Sequence, residues 1–171
     1  MKKSLVFIFL LSINSFSQNT QDEIMSLRVH NDARKDVGIN PLIWSEKLEK
    51  QALSYAVYLA KVNKFKHSNT KNGENMTMSY ESITSNGHKT YIYPEYPLND
   101  AAIGWYNEIK NYRYSKVRRF RLSKKKIGHY TQMVWRNTRE VGIASAISKD
   151  GKVYVVARYY PSGNYIREYP Y

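Results

Sequence analysis

Between residues 46 and 61 the chain places Leu48, Ala52, Tyr55, Ala56 and Leu59 three or four positions apart, which puts them on one face of a helix. Ser45 stands just before that segment as an N-cap. Upstream, Thr20 followed three residues later by Glu23 forms a capping-box pattern, and Ile24, Leu27, Asn31 and Arg34 recur with the same helical period. A first helix is therefore predicted from about Thr20, ended by Gly38 and Pro41. A third is predicted from Asn99 or Asp100 to about Asn111, with Ala101, Trp105 and Glu108 sharing a face. Residues 63–97 lack either period. Asn, Ser, Thr, Gly and Lys dominate there, Asn86-Gly87 marks a turn and Pro94 and Pro97 punctuate the end, so the segment reads as mostly loop. Residues 140–148 and 152–160 are rich in Val, Ile, Ala and Tyr, and Asp150-Gly151 between them predicts a hairpin. Helices first and strands last make an α+β domain, without an internal repeat.

The N-terminus changes the length of chain that has to fold. Lys2 and Lys3 precede an apolar stretch over residues 5–11 that is too short to span a bilayer, and Ser15 and Ser17 offer small residues for cleavage after Ser17. Residues 1–17 are read as a signal peptide and 18–171 as one domain, secreted or periplasmic. No later stretch is apolar enough for a transmembrane segment. The chain has no cysteine, which excludes disulfides, thiolate metal sites, a cysteine nucleophile and a lipoprotein anchor. Its net charge of +13 favours anionic partners. Much of the excess lies in residues 113–126, which include Arg113, Lys116, Arg118, Arg119, Arg121, Lys124, Lys125 and Lys126. That run reads as a solvated loop or, second, as an anion-binding surface. Arginines alternate with aromatics over residues 112–120, a pattern that can stack on bases, yet an exported chain argues against nucleic acid and for an anionic envelope component or lipid head group.

Four segments then narrow the picture: His30-Asn31-x-x-Arg34, Gly73-Glu74-Asn75-Met76, the run from Gly128-His129-Tyr130-Thr131-Gln132 to Trp135, and Arg158-Tyr159-Tyr160-Pro161-Ser162-Gly163-Asn164. In this order they resemble the CAP superfamily, the group of cysteine-rich secretory proteins, venom antigen 5 and plant pathogenesis-related proteins. The resemblance implies a three-layer α-β-α sandwich with a central antiparallel sheet, in a secreted bacterial member. It also implies a large cleft holding two histidines and two glutamates. His67, in Phe65-Lys66-His67-Ser68, and His129 match the histidines; Glu74 and Glu108 match the glutamates. Two departures stand out. Ala157 occupies a position where many relatives carry a disulfide cysteine, and the basic run replaces a less charged stretch ahead of Gly128.

The residue types allow three roles for this tetrad. His67 and His129 as neutral imidazoles suit a divalent cation such as zinc, with open positions for ligand. Glu74 or Glu108 could act as general base toward a metal-polarised water in a peptidase-like hydrolase. The cluster could also be purely structural, satisfying its own hydrogen bonds. Binding of a cation, or of a lipid, sterol or envelope ligand, stands first and hydrolysis last. Among the other candidates, His30 is expected to pack and hydrogen-bond, and His88 to be exposed. Ser68 lacks a nucleophile elbow. Asn75 and Gln132 are expected to bridge backbone groups around the cleft. The sixteen tyrosines, among them Tyr91, Tyr93, Tyr96, Tyr106, Tyr112 and Tyr114, are expected mainly to pack, with a ligand groove as the alternative.

Overall fold

The helix read from Leu48, Ala52, Ala56 and Leu59 is α2 (Glu46–Val62), and those four residues are its buried face. It ends one residue later than expected, at Asn63, whose left-handed backbone (φ 52°) closes the helix. The computed structural model describes residues 11–118 and 126–171, with side chains from Gln21 onward; the first ten residues of the expected signal peptide and residues 119–125 of the basic run lie outside the described residues. In chain order the remaining elements are α1 (Leu11–Asp36), β1 (Ile43–Trp44), β2 (Gly73–Ser79), β3 (Glu81–Ser85), β4 (His88–Ile92), α3 (Pro97–Tyr106), a 3-10 turn (Asn107–Asn111), α4 (Gly128–Met133), β5 (Glu140–Ile147) and β6 (Val153–Tyr160).

The strands β1, β5, β6 and β2 form the central sheet in that order. The expected β5-β6 hairpin is its centre, turning at Gly151 with φ 82°. The pairing is antiparallel except at β1, which adds two residues parallel to β5. Alternation along β6 sends Tyr154 and Val156 to one face and Val153, Val155, Ala157 and Tyr159 to the other. The first set meets Ala52, Ala56 and Leu59 of α2, together with Met76 and Ala144. The second meets Leu98, Ala101 and Trp105 of α3, with Leu27 of α1 beside them. The molecule is a three-layer α-β-α sandwich. Burying a side chain such as Leu59 contributes about 2 kcal/mol. Gly142 lets α2 lie close to β5, because a β-carbon there would strike the backbone of Leu48 and Glu49.

Three expectations need correction. The stripe of Ile24, Leu27, Asn31 and Arg34 is not the buried face of α1, since Ile24 is exposed and the buried positions are Asp22, Ser26, His30, Ala33 and Arg34. That face is largely polar, so an apolar periodicity points away from it. The helix also continues upstream of the Thr20 cap, to Leu11. Residues 63–97 hold three strands rather than a loop. β2 pairs with β6, some eighty residues further on, and β3 and β4 form a separate hairpin around Asn86 and Gly87, both at positive φ as a tight primed turn demands. The Tyr91 ring on β4 covers Gly151, tying that hairpin to the β5-β6 turn. Finally, α3 starts at Pro97, earlier than the expected caps, and gives way to the 3-10 turn before Glu108, yet Ala101, Trp105 and Glu108 are all buried as their spacing required.

Candidate functional site

On the α3 side of the sheet a polar network fixes the backbone that surrounds the site. Asp22 accepts from the N–H groups of Leu98 and Asn99 at 3.0 and 2.8 Å, so α1 caps α3 with a carboxylate. Arg34, fully buried, donates to the carbonyls of Asn40, Met133, Trp135 and Thr138 at 2.6 to 3.0 Å. Burial lowers its pKa to about 10, which still leaves it charged at neutral pH. His30 makes hydrogen bonds to the Ser26 carbonyl through Nδ1 and to the Tyr159 hydroxyl through Nε2, both at 2.8 Å. A carbonyl only accepts, so Nδ1 carries the proton and the tyrosine hydroxyl donates to Nε2. Asn75 on β2 donates to Tyr159 Oη and to the His129 carbonyl, both at 3.0 Å. Gln132 accepts from Gly163 N–H and donates to Thr138 Oγ1. These are the packing and bridging roles expected of His30, Asn75 and Gln132.

Around this frame a cleft of about 950 Å³ runs along β2, and His67, Glu74, Glu108 and His129 all line it. The four meet as two pairs. His129 opens α4, and its Nδ1 lies 2.7 Å from Glu108 Oε1 while its backbone N–H donates to Oε2 at 2.9 Å. Glu108 thus anchors both the ring and the start of its helix. His67 lies on the loop after α2, with Nδ1 at 2.5 Å from Glu74 Oε1. The first pair is sheltered, at 28 % and 11 % side-chain exposure; in the second, His67 is 65 % exposed over a Glu74 that is 5 % exposed. Glu74 and Asn75 are neighbours on a strand, so their side chains leave on opposite faces. Asn75 supports the His129 backbone, while Glu74 turns to the face it shares with Met76 and holds His67. Among the described residues no group of three or more histidine, aspartate or glutamate side chains comes together as a metal site.

Both carboxylates are ionised by their surroundings. Burial pushes Glu74 upward, but hydrogen bonds from His67 and Ser68 and the charge of Arg158 outweigh it and leave the carboxyl below its usual range. Burial likewise raises Glu108, and the bond and charge of His129 with the N–H groups of His129 and Tyr130 again outweigh it. An ionised carboxylate only accepts, so each histidine presents Nδ1–H to its glutamate. Among the described residues neither Nε2 makes a hydrogen bond. Arg158 Nη1 reaches Glu74 Oε2 at 2.5 Å and Ser68 Oγ at 2.8 Å, and Ser68 donates twice to the same carboxylate. Neither glutamate is free to take a proton from water, and Ser68 is committed to Glu74; hydrolysis finds no support in this arrangement.

Sequence reasoning missed Arg158 as the fourth partner of the His67 pair. Its inward position on β6, between Val156 and Tyr160 in register opposite Glu74, was the available signal, because a charged side chain facing a sheet's packed side requires a counter-charge. The tyrosines mostly pack, as expected, and the alternative of a groove keeps one of them. Tyr106 and Tyr112 close on Tyr130, Tyr114 stacks on Tyr169, and Tyr93 alone of the six joins the cleft wall. His88 is exposed, on β4 rather than on a loop.

A three-layer α-β-α sandwich with a cleft lined by two histidine-glutamate pairs defines the class. The chain belongs to the cysteine-rich secretory protein (CAP) family, whose family model matches residues 27–159. It is 33% identical over 158 residues to the human Golgi-associated plant pathogenesis-related protein 1, covering 90% of each chain. It is 31% identical over 168 residues to pathogenesis-related protein 1 of Arabidopsis thaliana, covering 98% of this chain and 94% of that one. Among solved structures, NaASP2 crystallised with Zn2+ shares the fold at TM-score 0.69 and 24% identity, covering 90% of this chain and 85% of that one. Among the described residues no helix is long and apolar enough to cross a membrane.

Proposed function

We propose that this protein is an exported binding module whose cleft takes a divalent cation at His67 and His129 and a lipid-like or envelope ligand along its apolar wall. The observation that carries the reading is the pairing of each Nδ1 with an ionised glutamate. That pairing commits the Nδ1 proton to the glutamate and leaves Nε2 on the far side of the ring, the arrangement by which carboxylates support metal-binding histidines from behind. Two imidazoles fit zinc by ligand type, and a structural relative crystallised with Zn2+ agrees with that choice. Two protein ligands leave the remaining positions to water or to an anionic group of the ligand. Phe65, Met76, Met78, Tyr93 and Trp105 give the same cleft an apolar stretch, while Lys126 stands at its charged end. A ligand with an anionic head and an apolar tail matches that division. Export rests on the leader read over residues 1–17, and the family's secretory character supports it.

The test is titration of the processed protein with zinc by calorimetry, beside His67→Ala and His129→Ala. Each variant is expected to weaken binding about a hundredfold, since removing one of two ligands removes the site. Zinc binding that survives the double variant overturns the assignment, as does a fatty-acid probe that binds Met78→Glu as well as it binds the original chain.

A further inference from the structure

On the opposite side of the β2 edge from α3, a second recess of about 690 Å³ opens between α2 and the loop that carries Thr70. One wall is formed by Tyr55 and Tyr58, whose near-parallel rings stack with centroids 5.8 Å apart and planes 19° apart. At its base the Arg158 guanidinium lies 5.1 Å from the Tyr55 ring centre. The Arg158 side chain is 5 % exposed, and only Nη1 is committed, to Glu74 and Ser68. Among the described residues Trp105 Nε1 is the one fully buried side-chain nitrogen or oxygen without a partner. Arg158 Nε and Nη2 make no hydrogen bond among those residues, and Arg158 lines the recess. Lys50 on α2 lines it too, only loosely paired with Glu46 at 3.8 Å. The rim is built: Asn72 donates to Gln51 Oε1 at 2.7 Å, and its backbone N–H to Thr70 Oγ1 at 3.1 Å.

We infer that this recess binds an acidic sugar, with a hexose ring packed against the wall that Tyr55 and Tyr58 form and its carboxylate or phosphate held by Arg158 and Lys50. A guanidinium with one edge already fixed and the other donors open is pre-oriented for an oxyanion. Aromatic faces with hydroxyls at their edge suit a ring that is apolar on its faces and polar around its rim. Gln51, Ser54 and Thr70 add neutral polar groups on the walls. An entirely apolar ligand would leave these neutral groups and the remaining donors of Arg158 and Lys50 unused, and a bare anion would leave the tyrosine wall unused. The site touches the histidine cleft only through the Arg158–Glu74 bond and stands whether or not that cleft binds a cation.

Four probes separate the components: glucuronic acid, glucose 6-phosphate, glucose and inorganic phosphate, each titrated into the full chain while backbone amides are followed by NMR. Both acidic sugars are expected to shift amides of α2 around Tyr55 and Tyr58, and glucose and phosphate to bind about tenfold more weakly, each having lost one of two contacts. Tyr58→Ala and Lys50→Gln change exposed residues outside the core, and each is expected to weaken the acidic sugars about fivefold. Glucose binding as well as glucuronic acid would show the cations idle and overturn the proposal. Phosphate binding as well as glucose 6-phosphate would reduce the site to an anion contact and overturn it too. So would acidic-sugar binding that neither variant weakens, or no saturable shift at α2.

Discussion

On one face of the sheet α2 lies flat against Met76, Ala144 and Val156 through alanines and Leu59; on the other, α1 is tied down by Asp22, His30 and Arg34, each hydrogen-bonded to a named partner. The first face needs only shape and apolar area, which many side-chain combinations supply. The second needs specific donors at specific carbonyls, and it is the face on which α3, α4 and His129 are assembled. Stability alone would be served by two apolar faces. The polar one adds definition: it fixes where the ends of α4 and the start of α3 lie, and so where the cleft is.

The largest expected effect breaks the polar side. Arg34→Met keeps the apolar stem and removes the donors, leaving the buried carbonyls of Met133, Trp135 and Thr138 without them, and should cost about 4 kcal/mol in urea denaturation. A loss below about 1 kcal/mol would mean that water replaces the guanidinium and that the contrast is false.

Next comes pH. Burial holds the folded His30 at a pKa of about 4, with the Arg34 charge adding to the shift and the Ser26 carbonyl opposing it. The unfolded chain takes up this proton from its ordinary value of 6.5, so stability is complete above that pH and falls by about 3 kcal/mol as pH drops from 6.5 to 4. Urea titrations from pH 7 to 4 should show this slope in the original chain and not in His30→Gln; equal slopes would remove His30 from the account. Glu74 and Glu108 act in a lower window. Their folded pKa values are depressed, so their contribution persists above the unfolded value of 4.5 and is lost only as pH falls further.

The smallest effect probes the apolar side. Gly142→Ala places a methyl group against the α2 backbone and should cost about 2 kcal/mol, read as a lower thermal midpoint with the cleft still formed. If that variant also disturbed His129, the two faces would not be independent.

This division also explains how much could be read from the sequence. The buried face of α2 was legible because its packing residues are apolar and periodic, and the β5-β6 hairpin because its turn is local. The buried face of α1 was not, since Asp22, Ser26, His30 and Arg34 look like a solvent face until their partners are known. β2 was hidden for a related reason: Gly73 to Ser79 has little apolar alternation, and its partner β6 is remote. The histidines and glutamates were found through motif resemblance rather than spacing. Their arrangement in two pairs, with Arg158 behind one of them, depends on which face of β2 each neighbour takes.

The bonds of Arg34 to Met133, Trp135 and Thr138 span 99 to 104 positions, and that of His30 to Tyr159 spans 129. Such contacts close loops longer than half the chain, so their entropy is met only when distant segments come together. During synthesis α1 emerges first and waits for partners that are made last. A nascent chain that stops before β6 has neither Tyr159 for His30 nor Arg158 for Glu74, and hence no completed cleft. The site cannot be complete before the last strand is made.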